Sequence, residues 1–127
     1  MLERYLHRAT YARGSVIFRQ GDKGSELFIV AIGRASARLH QSSGGDIRLA
    51  TFAPGTFFGE LAILDAGPRS ATLIADDDVG CYVLSAAKFT ALMSDAPPVA
   101  IKLLANLGRE LSGRLRRANR TIQQLES

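Results

Sequence analysis

The segment from residue 57 to residue 73 reads FFGELAILDAGPRSATL and lies between stretches with the pattern of β-strands. It combines two glycines and a proline with Glu60 and Arg69. Good helix formers at residues 60–64, followed by Gly67-Pro68, predict about one helical turn. So short a turn leaves its first amide groups unpaired, and these groups attract an anion. The segment is therefore interpreted as a loop that can hold a phosphate or a carboxylate.

The polar residues of this loop suit a ligand that carries a phosphate next to a hydroxyl group. Gly59 allows a ligand to approach the backbone closely. The guanidinium of Arg69 can bind a phosphate through two parallel charge-assisted bonds, and the Ser70 hydroxyl can add a donor. Glu60 can accept a hydrogen bond from a sugar hydroxyl. The pattern alone leaves a second interpretation open, in which Glu60 and Arg69 form an ion pair across an ordinary turn.

Two motifs in this segment, Gly59-Glu60-Leu61-Ala62 and Pro68-Arg69-Ser70-Ala71-Thr72, resemble the phosphate-binding cassette of cyclic nucleotide-binding domains. This family includes the binding modules of protein kinase A regulatory subunits, gated channels and the catabolite activator. Phe18-Arg19-Gln20-Gly21-Asp22 and Leu27-Phe28-Ile29-Val30 look like further elements of the family, so the resemblance covers roughly residues 5 to 125. It implies a β-roll with flanking helices.

The resemblance also implies a role for each residue of the predicted site. In relatives, the residue that matches Arg69 holds the cyclic phosphate and the one that matches Glu60 accepts from the ribose 2′-hydroxyl. Leu49 and Leu61 match positions that contact the base. A hydroxyl such as that of Ser70 adds a contact to the ligand, and Ser70 is compatible with cAMP or cGMP. The full predicted ligand-binding set is Gly59, Glu60, Leu61, Ala62, Arg69, Ser70, Ala71, Leu49 and Arg114.

The rest of the chain predicts a mainly β fold with flanking helices. Short strands separated by glycine turns, such as residues 27–32, 34–39 and 47–52, are typical of a small barrel or jelly roll. With the resemblance, we predict a β-roll followed by a long C-terminal helix. The predicted organisation is a single domain over residues 1–127, with a helical segment at 1–12, the roll at 13–84 including the cassette at 58–72, and helices at 85–127.

The C-terminal helices are predicted from a change of period. Ser85 is a plausible N-cap for a helix over residues 86–93, and residues 95–98 break that helix and start another. The second helix, from about residue 99 to residue 125, would be ~40 Å long and too long for the roll to cover. Its apolar seam needs a second copy of the chain or a partner domain to cover it. The seam consists of Leu104, Leu107, Leu111, Leu115, Ala118, Ile122 and Leu125.

The basic residues of this helix allow either a structural or a functional interpretation. A basic face roughly opposite the seam is interpreted as solvated, because no helix-turn-helix accompanies it that would read DNA. Arg114 lies at the edge of the seam, where its guanidinium could contact a purine, although an arginine snorkelling beside an apolar stripe is the simpler interpretation. The basic face consists of Lys102, Arg109, Arg116 and Arg120.

Composition excludes several classes of protein. At 127 residues, with a net charge of +4 and nearly half of the residues apolar, the chain predicts one globular domain. No membrane span or signal peptide is apparent, so we expect a cytoplasmic location. The single cysteine, Cys81, is expected to be a buried small hydrophobe. His7 and His40 have no metal-ligand spacing, and no nucleophile has a recognisable base, so neither a metal site nor an enzyme is expected.

The leading functional hypothesis is a regulatory sensor that binds a cyclic purine nucleotide, with cAMP favoured over cGMP, and needs no catalytic cofactor. Binding would be relayed through the C-terminal helix to a larger protein or partner, or within a homodimer. Replacing Arg69 with alanine is expected to abolish binding and leave the fold intact. The alternative hypothesis is a β-roll that mediates interaction or dimerisation and binds no nucleotide.

Overall fold

The computed structural model describes residues 2–60, 63 and 67–126. The chain consists of two compact units, Met1–Thr90 and Ala91–Ser127. The first unit contains a 3-10 turn at Leu2–Arg4 and all of the described strands. In chain order the strands are β1 His7–Tyr11, β2 Val16–Phe18, β3 Glu26–Ile32, β4 Ala35–His40, β5 Asp46–Phe52, β6 Phe57–Phe58, β7 Thr72–Ala75 and β8 Val79–Ser85.

These strands form two antiparallel sheets of four strands, with the orders β1-β8-β3-β6 and β2-β7-β4-β5. The predicted mainly β roll is confirmed, although in the described residues the strands form two sheets and not one closed barrel. The core lies between the sheets and contains stacked and tilted aromatic rings. Phe28 and Phe58 stack with their centroids 5.0 Å apart, and Phe18 lies 5.8 Å from Phe28.

The predicted helical segment at residues 1–12 is wrong for its second half. His7–Tyr11 forms β1, which pairs with β8 from His7 opposite Val83 to Tyr11 opposite Val79. Ala9 and Tyr11 pack against the core, while the alternating residues Arg8 and Thr10 are exposed. Only two residues of this strand, Ala9 and Tyr11, are apolar and pack against the core. Two apolar positions are too few to distinguish a short strand from a weak helix, and the partner strand β8 lies far away in the sequence.

Two α-helices follow the roll, α1 at Ala86–Asp95 and α2 at Pro97–Glu126. The predicted N-cap is confirmed, because the Lys88 amide donates to Ser85 Oγ at 3.1 Å. Pro97 occupies the first position of α2, where its missing N–H is tolerated. Within the described part of the chain, we find no helix with the length and apolar character needed to cross a membrane.

The apolar seam of α2 is unevenly exposed. Leu107 exposes only 2% of its surface, whereas Leu104 exposes 36%, Leu115 63% and Leu125 83%. The residues of the predicted basic face are exposed, which agrees with their interpretation as a solvated face: Lys102, Arg109, Arg116 and Arg120.

Candidate ligand-binding site

The backbone of Arg69 is fixed against the turn that follows β2. The Gly21 amide donates to the Arg69 carbonyl at 2.8 Å, and the Arg69 amide donates to the Asp22 carbonyl at 2.8 Å. The turn is itself closed by the Asp22 carboxylate, which accepts from the Arg19 amide at 3.0 Å. Both backbone polar groups of Arg69 are therefore satisfied, and the origin of its side chain is well defined.

The side chain of Arg69 points into the roll and exposes only 7% of its surface. Its Nη1 donates to the Glu26 carbonyl at 3.0 Å and to the Gly59 carbonyl at 3.4 Å. Its Cζ lies 4.1 Å from the centroid of the Phe18 ring and 5.7 Å from that of Phe28, within the range of a cation–π contact. One edge of the guanidinium is thus bound to carbonyl groups while its flat face rests on aromatic rings.

Two glycines make room for this arrangement. A Cβ at Gly24 would lie 2.3 Å from Arg69 Nε and 2.5 Å from Cζ. A Cβ at Gly59 would lie 2.8 Å from Arg69 Nη1 and 2.9 Å from the Glu26 carbonyl oxygen, and Gly59 also has a φ of +79°. Gly59 is therefore required for both its conformation and its small size, and Gly24 for its size.

The buried guanidinium of Arg69 has one donor without an acceptor among the described residues. Burial lowers the pKa of its guanidinium, while the carboxylates of Glu26, Asp22 and Glu60 act in the opposite direction. Arginine nevertheless stays protonated at neutral pH. Its Nε is buried and, among the residues that the structure describes, has no hydrogen-bond acceptor. A buried donor without an acceptor costs about 1–3 kcal/mol, and an anionic ligand oxygen would supply the acceptor.

Glu60 follows β6 and Gly59 directly. Its carbonyl accepts from the Ile63 amide at 3.0 Å, as expected where the chain begins a turn. Its half-buried carboxylate is close enough to Arg69 to raise the pKa of the guanidinium. The structure thus brings together the two charged residues that the sequence predicted for the site.

The other residues predicted for the site differ in their burial and in their location in the chain. Ser70 is exposed beside Arg69, whereas the Ala71 side chain is buried in the core, which leaves only its backbone for a ligand. Leu49 lies on β5 and exposes 52% of its surface. Leu61 and Ala62 lie outside the described residues. Arg114 belongs to the second unit, where its Nε lies 3.7 Å from Glu110 Oε1, one helical turn away.

Several residues around Arg69 were not predicted as part of the site. Nothing in the sequence pattern distinguishes Phe18 and Phe28 from ordinary core residues, or Gly24 from an ordinary turn glycine. The Glu26 carbonyl is a backbone group, so the pattern of side chains could not predict its hydrogen bond with Arg69. A cleft of about 540 Å³ opens beside this turn and is lined by Gly21, Lys23, Gly24, Ser25, Gly67 and Pro68. Among the described residues, no group of three or more His, Cys, Asp or Glu side chains is placed to hold a metal ion.

Known proteins resemble this chain over most of its length. A family model described as "Cyclic nucleotide-binding domain" matches residues 8–96. The chain is 38% identical to the Cyclic AMP receptor protein of Thermus thermophilus over 107 residues, which cover 84% of this chain and 50% of that protein. It is 33% identical to Glutaminase 2 of Bradyrhizobium diazoefficiens over 117 residues, which cover 92% of this chain and 18% of that protein.

A solved structure of similar fold is a cyclic nucleotide-binding domain from Methylobacillus flagellatus. It superposes with a TM-score of 0.85 at 26% identity, over 91% of this chain and 65% of its own. The chain thus spans half of the Thermus relative and less than a fifth of the glutaminase. The match over residues 8–96 includes the turn after β2, Gly59, Glu60 and Arg69, and it covers more than half of the chain. This chain therefore belongs to the family of cyclic nucleotide-binding domains.

Proposed function

We propose that this domain is a regulatory sensor that binds a cyclic purine mononucleotide, with cAMP favoured over cGMP. The observation that carries the proposal is the buried guanidinium of Arg69, whose Nη1 is bound to carbonyl groups while its Nε has no acceptor among the described residues. A phosphate oxygen would complete this set of bonds. The similarity to a protein named Cyclic AMP receptor protein supports cAMP as the ligand.

Most of the predicted residues have a separate part in this proposal. The Nε and Nη2 groups of Arg69 bind the cyclic phosphate, and the exposed Ser70 hydroxyl adds a donor. Glu60 accepts a hydrogen bond from the ribose 2′-hydroxyl. Backbone amides near Gly59 and Leu61 contribute donors. Leu49 and Leu61 contact the base.

Parallel titrations by isothermal calorimetry test this proposal. We expect saturable binding of both cyclic nucleotides, with the lower Kd for cAMP. Ser70→Thr is a useful companion variant, because a threonine after the arginine often accompanies cGMP preference in this family, and it should shift the ratio of the two Kd values toward cGMP. Absence of binding to either nucleotide by the folded protein would favour the alternative, a β-roll that serves only as an interaction domain. A thermal-shift measurement would show the same difference, because only a binder is stabilised by the ligand.

We assign the relay of the binding signal to α2. Its exposed leucines need a partner, and two copies of α2 packed side by side would cover them as a short coiled coil. Light scattering should detect a homodimer that Leu115→Glu dissociates, since a charge would be buried at the seam. Arg116→Ala, at a neighbouring position on the exposed basic face, is the control. A monomer at high concentration would favour a partner domain instead.

The output of the sensor is a separate part of the proposal. This chain matches only part of its relatives, one of which is named glutaminase, so an attached effector domain is an equally good recipient of the signal. In either case the ligand acts by favouring one of two conformations of α2. Hydrogen exchange of α2 amides should therefore change on addition of cAMP. Unchanged exchange along the whole helix would remove α2 from the mechanism.

A further inference from the structure

A second candidate binding site lies on the outer face of the sheet β2-β7-β4-β5. Along β4 and β7, Arg38 and Ile74 alternate with residues whose side chains are in the core, and therefore point to the other face. This face contains a groove of about 810 Å³. Its lining includes four arginines and two aspartates, Arg13, Arg34, Arg38, Arg48, Asp76 and Asp77, which leaves a surplus of two positive charges, four minus two.

Asp76 engages two of these arginines. Its Oδ1 accepts from Arg38 Nη2 at 2.9 Å, and its Oδ2 accepts from Arg48 Nη1 at 2.9 Å. The fully buried Ser36 hydroxyl donates to Asp76 Oδ1 at 3.0 Å and accepts from Arg38 Nε at 3.1 Å. The bonding capacity of this carboxylate is thus largely used by its own network, which leaves it unable to neutralise the remaining arginines.

Arg13 and Arg34 are the remaining arginines. Both are exposed, and among the residues that the structure describes neither guanidinium forms an ion pair. Their backbones are firmly placed, because the Asp76 amide donates to the Arg34 carbonyl at 2.9 Å and the Arg13 amide donates to Asp78 Oδ1 at 2.9 Å. The adjoining Gly14 amide donates to the Ala75 carbonyl at 2.7 Å. A ligand would therefore meet two cations that no carboxylate of the described residues pairs with, on backbone positions that are themselves hydrogen-bonded.

We propose that this groove binds a short acidic segment of a partner protein, with its carboxylates paired to Arg13 and Arg34 and an apolar side chain on Ile74. The network around Asp76 supports carboxylates as the ligand, because it already places one carboxylate between two guanidinium groups of the same surface. A nucleic acid fits less well, since the exposed Asp77 carboxylate at the rim would repel its closely spaced phosphates. This binding does not depend on the nucleotide site.

Fluorescence anisotropy with a fluorescein-labelled peptide of alternating glutamate and leucine tests the proposal. We expect saturable binding at low ionic strength that weakens as salt is added. The double variant R13A/R34A should raise the Kd about tenfold, as expected for the loss of two ion pairs with the peptide. The matched control R116A/R120A removes the same charge from the exposed face of α2 and should change the Kd by less than about twofold.

Three results would overturn the proposal. The first is a wild-type protein that does not bind the peptide at low ionic strength. The second is an equal loss of affinity in both double variants, since attraction would then follow net charge alone. The third is a single-stranded oligonucleotide that binds more tightly than the peptide and loses that affinity in R13A/R34A, which would make the groove a nucleic-acid site. Titration with cAMP should be the same in all of these variants, so a failure here is separate from a failure of nucleotide binding.

Discussion

Replacing Arg69 with lysine separates the charge of this side chain from its shape. In the structure the guanidinium makes two kinds of contact. Its Nη1 donates to the Glu26 carbonyl at 3.0 Å, and its Cζ lies 4.1 Å from the centroid of the Phe18 ring. A lysine keeps the positive charge but places all of its donors on one nitrogen and has no planar fork. The ammonium can therefore bind the carbonyl or a phosphate, but it cannot bind both with the geometry of the arginine.

The expected loss of affinity follows from the number of bonds. Arg69→Lys should lose at least one charge-assisted hydrogen bond to the phosphate, which contributes about 1.5–3 kcal/mol. This corresponds to a rise in the Kd for cAMP of roughly ten- to 150-fold. Arg69→Ala, which removes the charge as well, should weaken binding at least as much.

The free energy of unfolding of the unliganded protein should change much less. Either variant loses the contacts of the guanidinium with Glu26 and Phe18, but it also removes the buried Nε, which has no acceptor in the described residues. Burial already disfavours this charge, as the lowered pKa of Arg69 indicates. The two effects oppose each other, so we expect a change within about 1 kcal/mol.

Calorimetric titration with cAMP, together with urea denaturation of the unliganded protein, measures both quantities. Arg19→Lys is the matched control, since Arg19 is exposed in the neighbouring turn and the same chemical change there should leave the Kd as it is. A folded Arg69→Lys protein with a Kd within about threefold of the wild type would refute the assignment of the phosphate to the guanidinium fork. A loss of several kcal/mol of stability would instead show that Arg69 mainly holds the roll together.

Three further predictions concern the fold. The pKa of Asp76 is lowered, because burial, which raises it, is outweighed by hydrogen bonds from two arginines and a serine. Stability from this group is present above its ordinary pKa of 3.8 and lost as the pH falls through the folded value, so urea denaturation of Asp76→Asn should show a weaker acid dependence than the wild type. Burial raises the pKa of Cys81 to about 11, so iodoacetamide should label it only after unfolding, and mass spectrometry showing rapid labelling of native protein would contradict this. Ser85→Ala removes the acceptor of the Lys88 amide and should lower the free energy of unfolding by about 1 kcal/mol, whereas an unchanged denaturation midpoint would mean that the cap contributes nothing.

Local patterns predicted most of the strands because their signals are contained in neighbouring residues. The continuous apolar run at residues 27–32 became β3, and the glycine-containing loop after β4 closes as a hairpin, with the Gln41 amide donating to the Gly45 carbonyl at 3.0 Å. The pattern of β4 was less informative about burial. The alternation of polar and apolar residues along residues 34–39 would place Ser36 toward solvent, yet Ser36 is fully buried, because Asp76, forty positions further on, and Arg38 cover it. Such a contact has no local signature.

The candidate site was likewise predictable only where a local sequence motif identifies its residues. The spacing of Gly59, Glu60 and Arg69 carries the family motif, so these residues could be found from the sequence. The aromatic surface under the guanidinium could not, because Phe18 and Phe28 look like ordinary core residues until the two sheets are brought together. Ala71 shows that a residue of the motif need not place its side chain in the site. It lies in the motif, but its side chain is buried in the core.

Arg69, the central residue of the proposed ligand site, contacts both sheets of the roll. Its guanidinium lies on Phe18 from β2, which belongs to one sheet, and is bonded to the Glu26 carbonyl of β3, which belongs to the other. An anion that accepts from Nε would therefore strengthen a contact between the sheets as well as satisfy a buried donor. Because the Arg69 backbone is also bonded to Gly21 and Asp22, this residue is poorly suited to be the part that moves. In the proposed site Arg69 is therefore expected to be a fixed point, and the proposed conformational response to a ligand is expected in elements that contact the ligand without being anchored to both sheets.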